Sequence, residues 1–343
     1  MSPRDRLIAV FVAVLWGCNF LAIHATISHF PPLLATGLRW LVLAVPTLLF
    51  VPWPKARPIW LLGYGLGFGT LQFVFLFIGM DVGMPTGLAS LMLQASAPFT
   101  VLLGAALLRE RVSRRQLAGI VVAVAGMAVI AWQRAENAAL LPAVLVLLGA
   151  LSWAFGNLAS RKALGPDNPH GGDVNPIHLM LWMSVVPPVP SFALSLAVED
   201  TGEIGRSLAT VGSTEGLIAL GGLAYIALAA TLLGTGLWTA LMRRYPAGVV
   251  APFSLLVPVV GMSTAFVVLG ERPTWIEIGA GVVVVAGVLL GSYARRQPAV
   301  ASAVGMGTSP EITSKPRFSV NGSSSAATST AATSLRETRP GSR

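Results

Sequence analysis

Long apolar runs separated by short polar connections fill the chain up to Tyr293. Ten of them reach the roughly 17 to 25 residues that a helix needs to cross about 30 Å of hydrocarbon. They are Leu7 to Thr26, Pro32 to Val51, Trp60 to Met80, Gly87 to Leu108, Gln116 to Trp132, Leu140 to Ser160, Ile177 to Val198, Gly216 to Met242, Gly248 to Leu269 and Trp275 to Tyr293. Each run is continuously apolar, whereas the strands of a membrane barrel alternate over about ten residues. The expected fold is therefore an all-α membrane protein with ten transmembrane helices. The first run continues past any plausible cleavage point through Phe20 to Ile23, so it reads as a retained helix and not as a signal peptide.

The runs are written twice. A shift of 161 positions lays Pro85 on Pro246, Gly87 on Gly248, Glu110-Arg111 on Glu271-Arg272 and Ala125-Gly126 on Ala286-Gly287. A weaker echo at a shorter offset sets Trp16 opposite Trp153. The expected organisation is one five-helix repeat over 1–134 and a second over 135–296. A tail over 297–343 is rich in Ser, Thr, Ala, Gly and Pro, cannot bury a core and is expected to be disordered in the cytoplasm. Five is odd, so the second repeat enters the membrane from the opposite side and the two are inverted. Such repeats place a pseudo-two-fold axis in the membrane plane and a binding site near the midplane, worked by alternating access.

Composition agrees with the pattern: 54% of residues are apolar and 11% charged, and the mean hydropathy is +0.73. With the N-terminus placed in the cytoplasm, the basic residues sort between alternate connections. Arg4, Arg6, Lys55, Arg57, Arg109, Arg111, Arg114, Arg115, Arg161, Lys162, Arg243, Arg244, Arg295 and Arg296 fall inside, and only Arg134, Arg206 and Arg272 fall outside. Both termini are thus expected in the cytoplasm. The net charge of +9 is spread along this inner rim, which favours anionic lipid as a partner and not nucleic acid. The single cysteine, Cys18, excludes an internal disulfide.

The segments LWGCNF, PPLLATGLRW, LLGYGL, GMPTGLASLMLQ, RERVSRRQLAGI, LSWAFGN, APFSLLVPVVG and GERPTW, in this order and spacing, resemble the drug/metabolite transporter superfamily. More closely they resemble its bacterial EamA-type exporters, nearest to those that export O-acetylserine and cysteine. The resemblance covers about residues 5 to 293. It implies a multi-pass protein of the bacterial inner membrane that exports a small polar metabolite, an amino acid or a derivative, without a cofactor. The same scaffold carries different metabolites and drugs in different members. A homodimer is left open.

Polar side chains inside a membrane cost several kcal/mol unless satisfied, so each is a candidate for the cargo path. Arg39 lies inside the second span with no acidic residue of that span beside it; it suits a bidentate clamp on a cargo carboxylate, snorkelling to the outer interface or a structural bond to helix-end carbonyls. Trp16 and Asn19 share a helical face, as do Trp153 and Asn157, and they fit either the wall of one cavity or helix-bridging contacts. Gln72 and Gln94 are mid-span amides that donate and accept at once. Glu110-Arg111 and Glu271-Arg272 close the fourth and ninth spans and resemble the family's repeat-end signature. Their expected work is to fix a helix end and to form a gate contact. Gly63, Gly65, Gly67 and Gly69 offer a bare face for a neighbouring helix, and Pro98, after Gln94, is expected to break the fourth span.

All fourteen Asp and Glu residues fall in connections, span ends or the tail. Proton coupling usually needs a titratable group within the path, so facilitated export and proton antiport both stay open. An intramembrane enzyme would need a nucleophile, a metal set or paired carboxylates; the chain has no HExxH and no Cys-His ligand set, so neither catalysis nor a metal site is expected. A receptor would need an extracellular domain, for which no segment is available.

Overall fold

A computed structural model describes residues 1–109, 112–136, 140–165, 168–169, 173–245 and 247–292. The expected tail over 297–343 lies outside the described residues, as do Glu110, Arg111, Pro246 and Tyr293. Among the described residues every regular element is a helix. In chain order the main ones are α1 (Pro3–Ile27), α2 (Pro32–Phe50), α3 (Pro58–Asp81), α4 (Thr86–Leu108), α5 (Arg114–Glu136), α6 (Leu140–Leu164), α7 (Pro176–Val198), α8 (Thr201–Ala209), α9 (Thr214–Met242), α10 (Pro252–Leu269) and α11 (Trp275–Ser292). All except α5, α8 and α11 are long and apolar enough to cross a membrane, eight in number among the described residues. α5 and α11 stand where the fifth and tenth spans are expected.

Local chemistry sets the ends. α1 begins a turn before its apolar run because the Ser2 hydroxyl accepts the Asp5 N–H at 3.1 Å and Pro3 supplies a ready-made first turn. α8 lies in the polar connection after α7, where no helix is expected from the apolar pattern; Asp200 accepts the Glu203 N–H at 2.8 Å and starts it.

The duplication reappears in the departures from α geometry. A π segment, Gly65–Leu71, interrupts α3, and a second, Tyr225–Gly234, interrupts α9. Shifted by 161 positions, 65–71 becomes 226–232, which falls within the second. A threonine hydroxyl serves the widened turn in each case. Thr70 donates to the Gly65 carbonyl at 3.1 Å and Thr231 to the Ile226 carbonyl at 2.8 Å, both five residues back. A 3-10 turn, Leu93–Ala95, likewise interrupts α4, and another, Ala251–Leu255, opens into α10. Pro98 does not break α4. It sits in the first turn after the 3-10 segment, where little is lost with its missing N–H, and the helix runs on to Leu108.

Glycine lets corresponding helices touch at the backbone. A Cβ on Gly287 of α11 would fall 2.4 Å from the Ala123 N of α5, and one on Gly119 would fall 2.4 Å from Gly291 N. One on Gly126 would meet the Ala280 carbonyl at 2.9 Å. Higher numbers on α5 therefore meet lower numbers on α11, so the two helices run antiparallel. Gly126 is the counterpart of Gly287, and Gly119 that of Ala280, so the contact is of the self-complementary kind that a two-fold axis produces. The glycine face expected on α3 is also used: Gly67 packs against the backbone of Gly156 on α6, and Gly65 against Val186 on α7.

Candidate substrate cavity

Eight of these helices converge on a cavity of about 320 Å³. α1 contributes Trp16 and Asn19, α2 Arg39, α3 Gln72, α4 Gln94, and α6 Trp153 and Asn157. All seven residues singled out as candidates for cargo contact line this one space. Gln72 follows directly on the π segment of α3, and Gln94 lies within the 3-10 turn of α4. Widened or tightened turns of this kind displace side chains from the regular helical register and recur at functional sites.

Arg39 is 2% exposed, so its side chain does not snorkel to an interface. Nη2 donates to Thr231 Oγ1 at 2.8 Å, while Nε and Nη1 have no hydrogen-bond partner. The guanidinium carbon stands 3.6 Å from the centroid of Phe73 and 4.6 Å from that of Trp40. Two ring faces offset part of the cost of burying the charge, on the order of 0.5–2 kcal/mol each. The fork that remains has donors to offer, and a carboxylate is the group that fits it.

The amides and indoles divide their work. Trp16 Nε1 donates to the Ala230 carbonyl in the π segment of α9 at 2.9 Å, and its ring lies 5.1 Å from that of Trp238. Trp153 packs edge-on to Phe68 at 5.8 Å. Asn157 Nδ2 donates to Thr100 Oγ1 at 3.2 Å. By contrast, Asn19 Oδ1 and Gln72 Oε1 are buried without a partner. Each such orphan acceptor costs about 1–3 kcal/mol, a cost that a donor on a bound molecule would remove.

The repeat-end residues lie elsewhere. Glu271 caps a helix, but not its own: Oε1 accepts the Thr86 N–H at 2.8 Å and Oε2 the Gly87 N–H at 3.0 Å, tying the end of α10 to the start of α4. Arg272 borders a separate cavity of about 270 Å³ beside it. Glu110 and Arg111 lie outside the described residues. Glu199, by its sequence a charge of the connection, makes a second cap of the same kind. Its carboxylate accepts from Leu33 N at 2.6 Å and Leu34 N at 3.1 Å, tying the end of α7 to the start of α2. Asp5, also unremarked, accepts from Tyr245 Oη at 2.6 Å and joins α1 to the segment after α9.

Phe68, Phe73, Thr231 and Trp238 are among the lining residues that the sequence did not single out. An aromatic ring in an apolar run gives no contrast by which to find it. Thr231 did carry a signal, since the 161-residue shift lays it on Thr70.

Comparisons with known proteins agree with this architecture. The model of the EamA-like transporter family matches the chain twice, over residues 6–132 and 140–293. Over 298 residues the chain is 42% identical to a Salmonella typhimurium protein named "Probable amino-acid metabolite efflux pump", covering 86% of this chain and 97% of that protein. It is 39% identical, with the same coverage, to the Escherichia coli K12 protein of the same name. A solved structure at 19% identity, which spans 89% of this chain and all of its own length, superimposes with a TM-score of 0.55 and so shares the fold.

Proposed function

The chain belongs to the EamA-like transporter family, and from that premise we propose that it exports amino acids or their derivatives, such as cysteine and O-acetylserine, across the bacterial inner membrane. It is a multi-pass membrane protein of a transporter family. The relatives named as amino-acid metabolite efflux pumps support the cargo class. The observation that carries it is the buried Arg39 fork, with Nε and Nη1 unpaired in a cavity. That arrangement suits a carboxylate held by parallel charge-assisted hydrogen bonds. Asn19, Gln72, Gln94 and Asn157 orient the polar end of the cargo, and Trp16 and Trp153 pack its apolar atoms.

The mechanism follows from the two-fold construction. Ten crossings in two inverted repeats, with both termini in the cytoplasm, allow one half to rock against the other about a fixed site. Glu271 and Glu199 each join a helix end in the second repeat to a helix start in the first. Such contacts are made in one access state and broken in the other, which gives Glu271 a gating role. Arg272 beside it, and Glu110-Arg111 at the equivalent place in the first repeat, are assigned to the same work.

Efflux of labelled cysteine and O-acetylserine from proteoliposomes, beside empty vesicles, tests the reading. Protein-dependent movement of either is the expected result. Movement of neither from folded, inserted protein sends the search to other cargo on this scaffold.

A further inference from the structure

Two smaller cavities flank the central one, and the duplication relates them. The first, of about 180 Å³, lies between α4, α5 and α11, with Val101, Gln116 and Gly291 in its wall. The second, of about 270 Å³, is the one that Arg272 borders; the start of α4, Met262 of α10 and Glu277 of α11 line it. A shift of 161 positions lays Val101 on Met262 and Gln116 on Glu277. The local structure repeats as well. Gln116 Oε1 accepts the Ser113 N–H at 2.9 Å at the start of α5, and Glu277 Oε2 accepts the Thr274 N–H at 2.8 Å at the start of α11.

The counterparts differ in what they join. The first cavity shares Ala97 and Val288 with the central cavity, whereas no described residue lines both the second cavity and the central one. Ala97 is exposed, while Pro258, its counterpart, is buried. At the second cavity the helices are shut on each other: a Cβ on Gly87 would meet Met262 Cα at 3.0 Å, and Glu271 holds the N–H of the same glycine. We propose that these cavities are the two ends of the cargo path. Cargo enters from the cytoplasm between α4, α5 and α11, past Val101, and leaves between α4, α10 and α11, past Met262, once Glu271 releases Thr86 and Gly87. This inference rests on the export reading above for its direction and its sides, and adds the route. Inverted repeats put the start of α5 inside and the start of α11 outside. The entry wall is mostly apolar, with Pro98, Val101 and Ile120, so it holds a polar cargo weakly and leaves binding to the central cavity. The start of α4 lines the exit and its later turns line the entry, so a tilt of this one helix that closes one end opens the other.

Cys18 is the single cysteine, so Cys18→Ala gives the background for Val101→Cys and Met262→Cys in oriented proteoliposomes. A membrane-impermeant methanethiosulfonate is applied to one face at a time. Val101→Cys should react from the cytoplasmic face alone and, once excess reagent is removed, should lose transport of labelled O-acetylserine. Met262→Cys should react from the outer face alone. Adding Glu271→Ala should speed the reaction at Met262→Cys and slow that at Val101→Cys, each by about tenfold, because a lost cap weakens one access state against the other. Ala97→Cys takes the place of Val101→Cys if that variant does not fold. Reaction of both positions from one face, reaction of either from neither face, or unchanged transport by modified Val101→Cys overturns the inference. Reaction from the reversed faces overturns the assignment of entry and exit together with the topology. The labelling needs no cargo, so if the expected labelling is seen and O-acetylserine does not move, the route stands and that cargo falls.

Discussion

Glu271 caps a helix that begins 185 residues before it, its two carboxylate oxygens accepting the N–H groups of Thr86 at 2.8 Å and Gly87 at 3.0 Å. Both donors belong to the unpaired first turn of α4, where a negative charge also meets the positive end of the helix dipole. Glu271→Gln keeps one acceptor and loses the charge, so it should cost about 1 kcal/mol; Glu271→Ala leaves two N–H groups bare and should cost about 2. Thermal unfolding of the purified protein in detergent checks the order. Equal midpoints for all three proteins would show that the cap contributes nothing.

The α5–α11 contact has no room for a methyl group. A Cβ on Gly287 meets the backbone nitrogen of Ala123 at 2.4 Å and the Gly119 carbonyl at 2.7 Å, and backbone cannot rotate away as a side chain can. Gly287→Ala should therefore separate the two helices and cost about 1–3 kcal/mol, as overpacking does elsewhere. Gly279→Ala, four residues from the Trp275 end of the same helix and with nothing within 4 Å, should be neutral or slightly stabilising. Monodispersity after heating compares the two.

Polarity contrast made the polar cavity residues legible. Arg39, Asn19, Gln72, Gln94 and Asn157 stand out because little else in their runs can hydrogen-bond, and a membrane helix must turn such groups inward. Trp16 and Trp153 were found through the repeat. The ring of Phe73 stands 3.6 Å from the Arg39 guanidinium carbon, yet nothing separates it in sequence from the other phenylalanines of its run. The π segments were equally hidden, since a five-residue hydrogen bond depends on how α3 and α9 are packed and leaves only Thr70 and Thr231 as a trace. Glu199 reads as a charge of a connection and Glu271 as a span-end charge because their partners are backbone groups, which have no letter in a sequence.

Thr70 and Thr231 allow a controlled comparison. Each hydroxyl donates five residues back across a π turn, but only Thr231 also accepts from Arg39. Thr70→Val and Thr231→Val should cost similar stability through the lost turn bond, about 1 kcal/mol. Thr231→Val alone frees Nη2 and lets the guanidinium shift off the ring of Phe73. It should lower transport by tenfold or more at limiting cargo, whereas Thr70→Val should leave the rate within about twofold. Equal transport by the two variants would remove Thr231 from the site.

Residues kept for binding and residues kept for folding respond oppositely to apolar replacement. Gln72 is 2% exposed and its Oε1 has no partner, so in the empty protein it is a net burden. Gln72→Leu has similar volume and removes the orphan acceptor; it should raise stability by about 1–2 kcal/mol while lowering cargo affinity. Arg39→Met should behave alike, since replacing a buried charge by a packed apolar chain is often stabilising. Cargo adds the complementary reading, because a molecule that binds only the folded state raises its stability by about 2.7 kcal/mol at a hundred times its dissociation constant. The unaltered protein should therefore gain thermal stability with cargo, and both variants should start higher and gain less. If Gln72→Leu or Arg39→Met instead unfolds at a lower temperature, that side chain is held by structural bonds, and its orphan atoms are not waiting for a ligand.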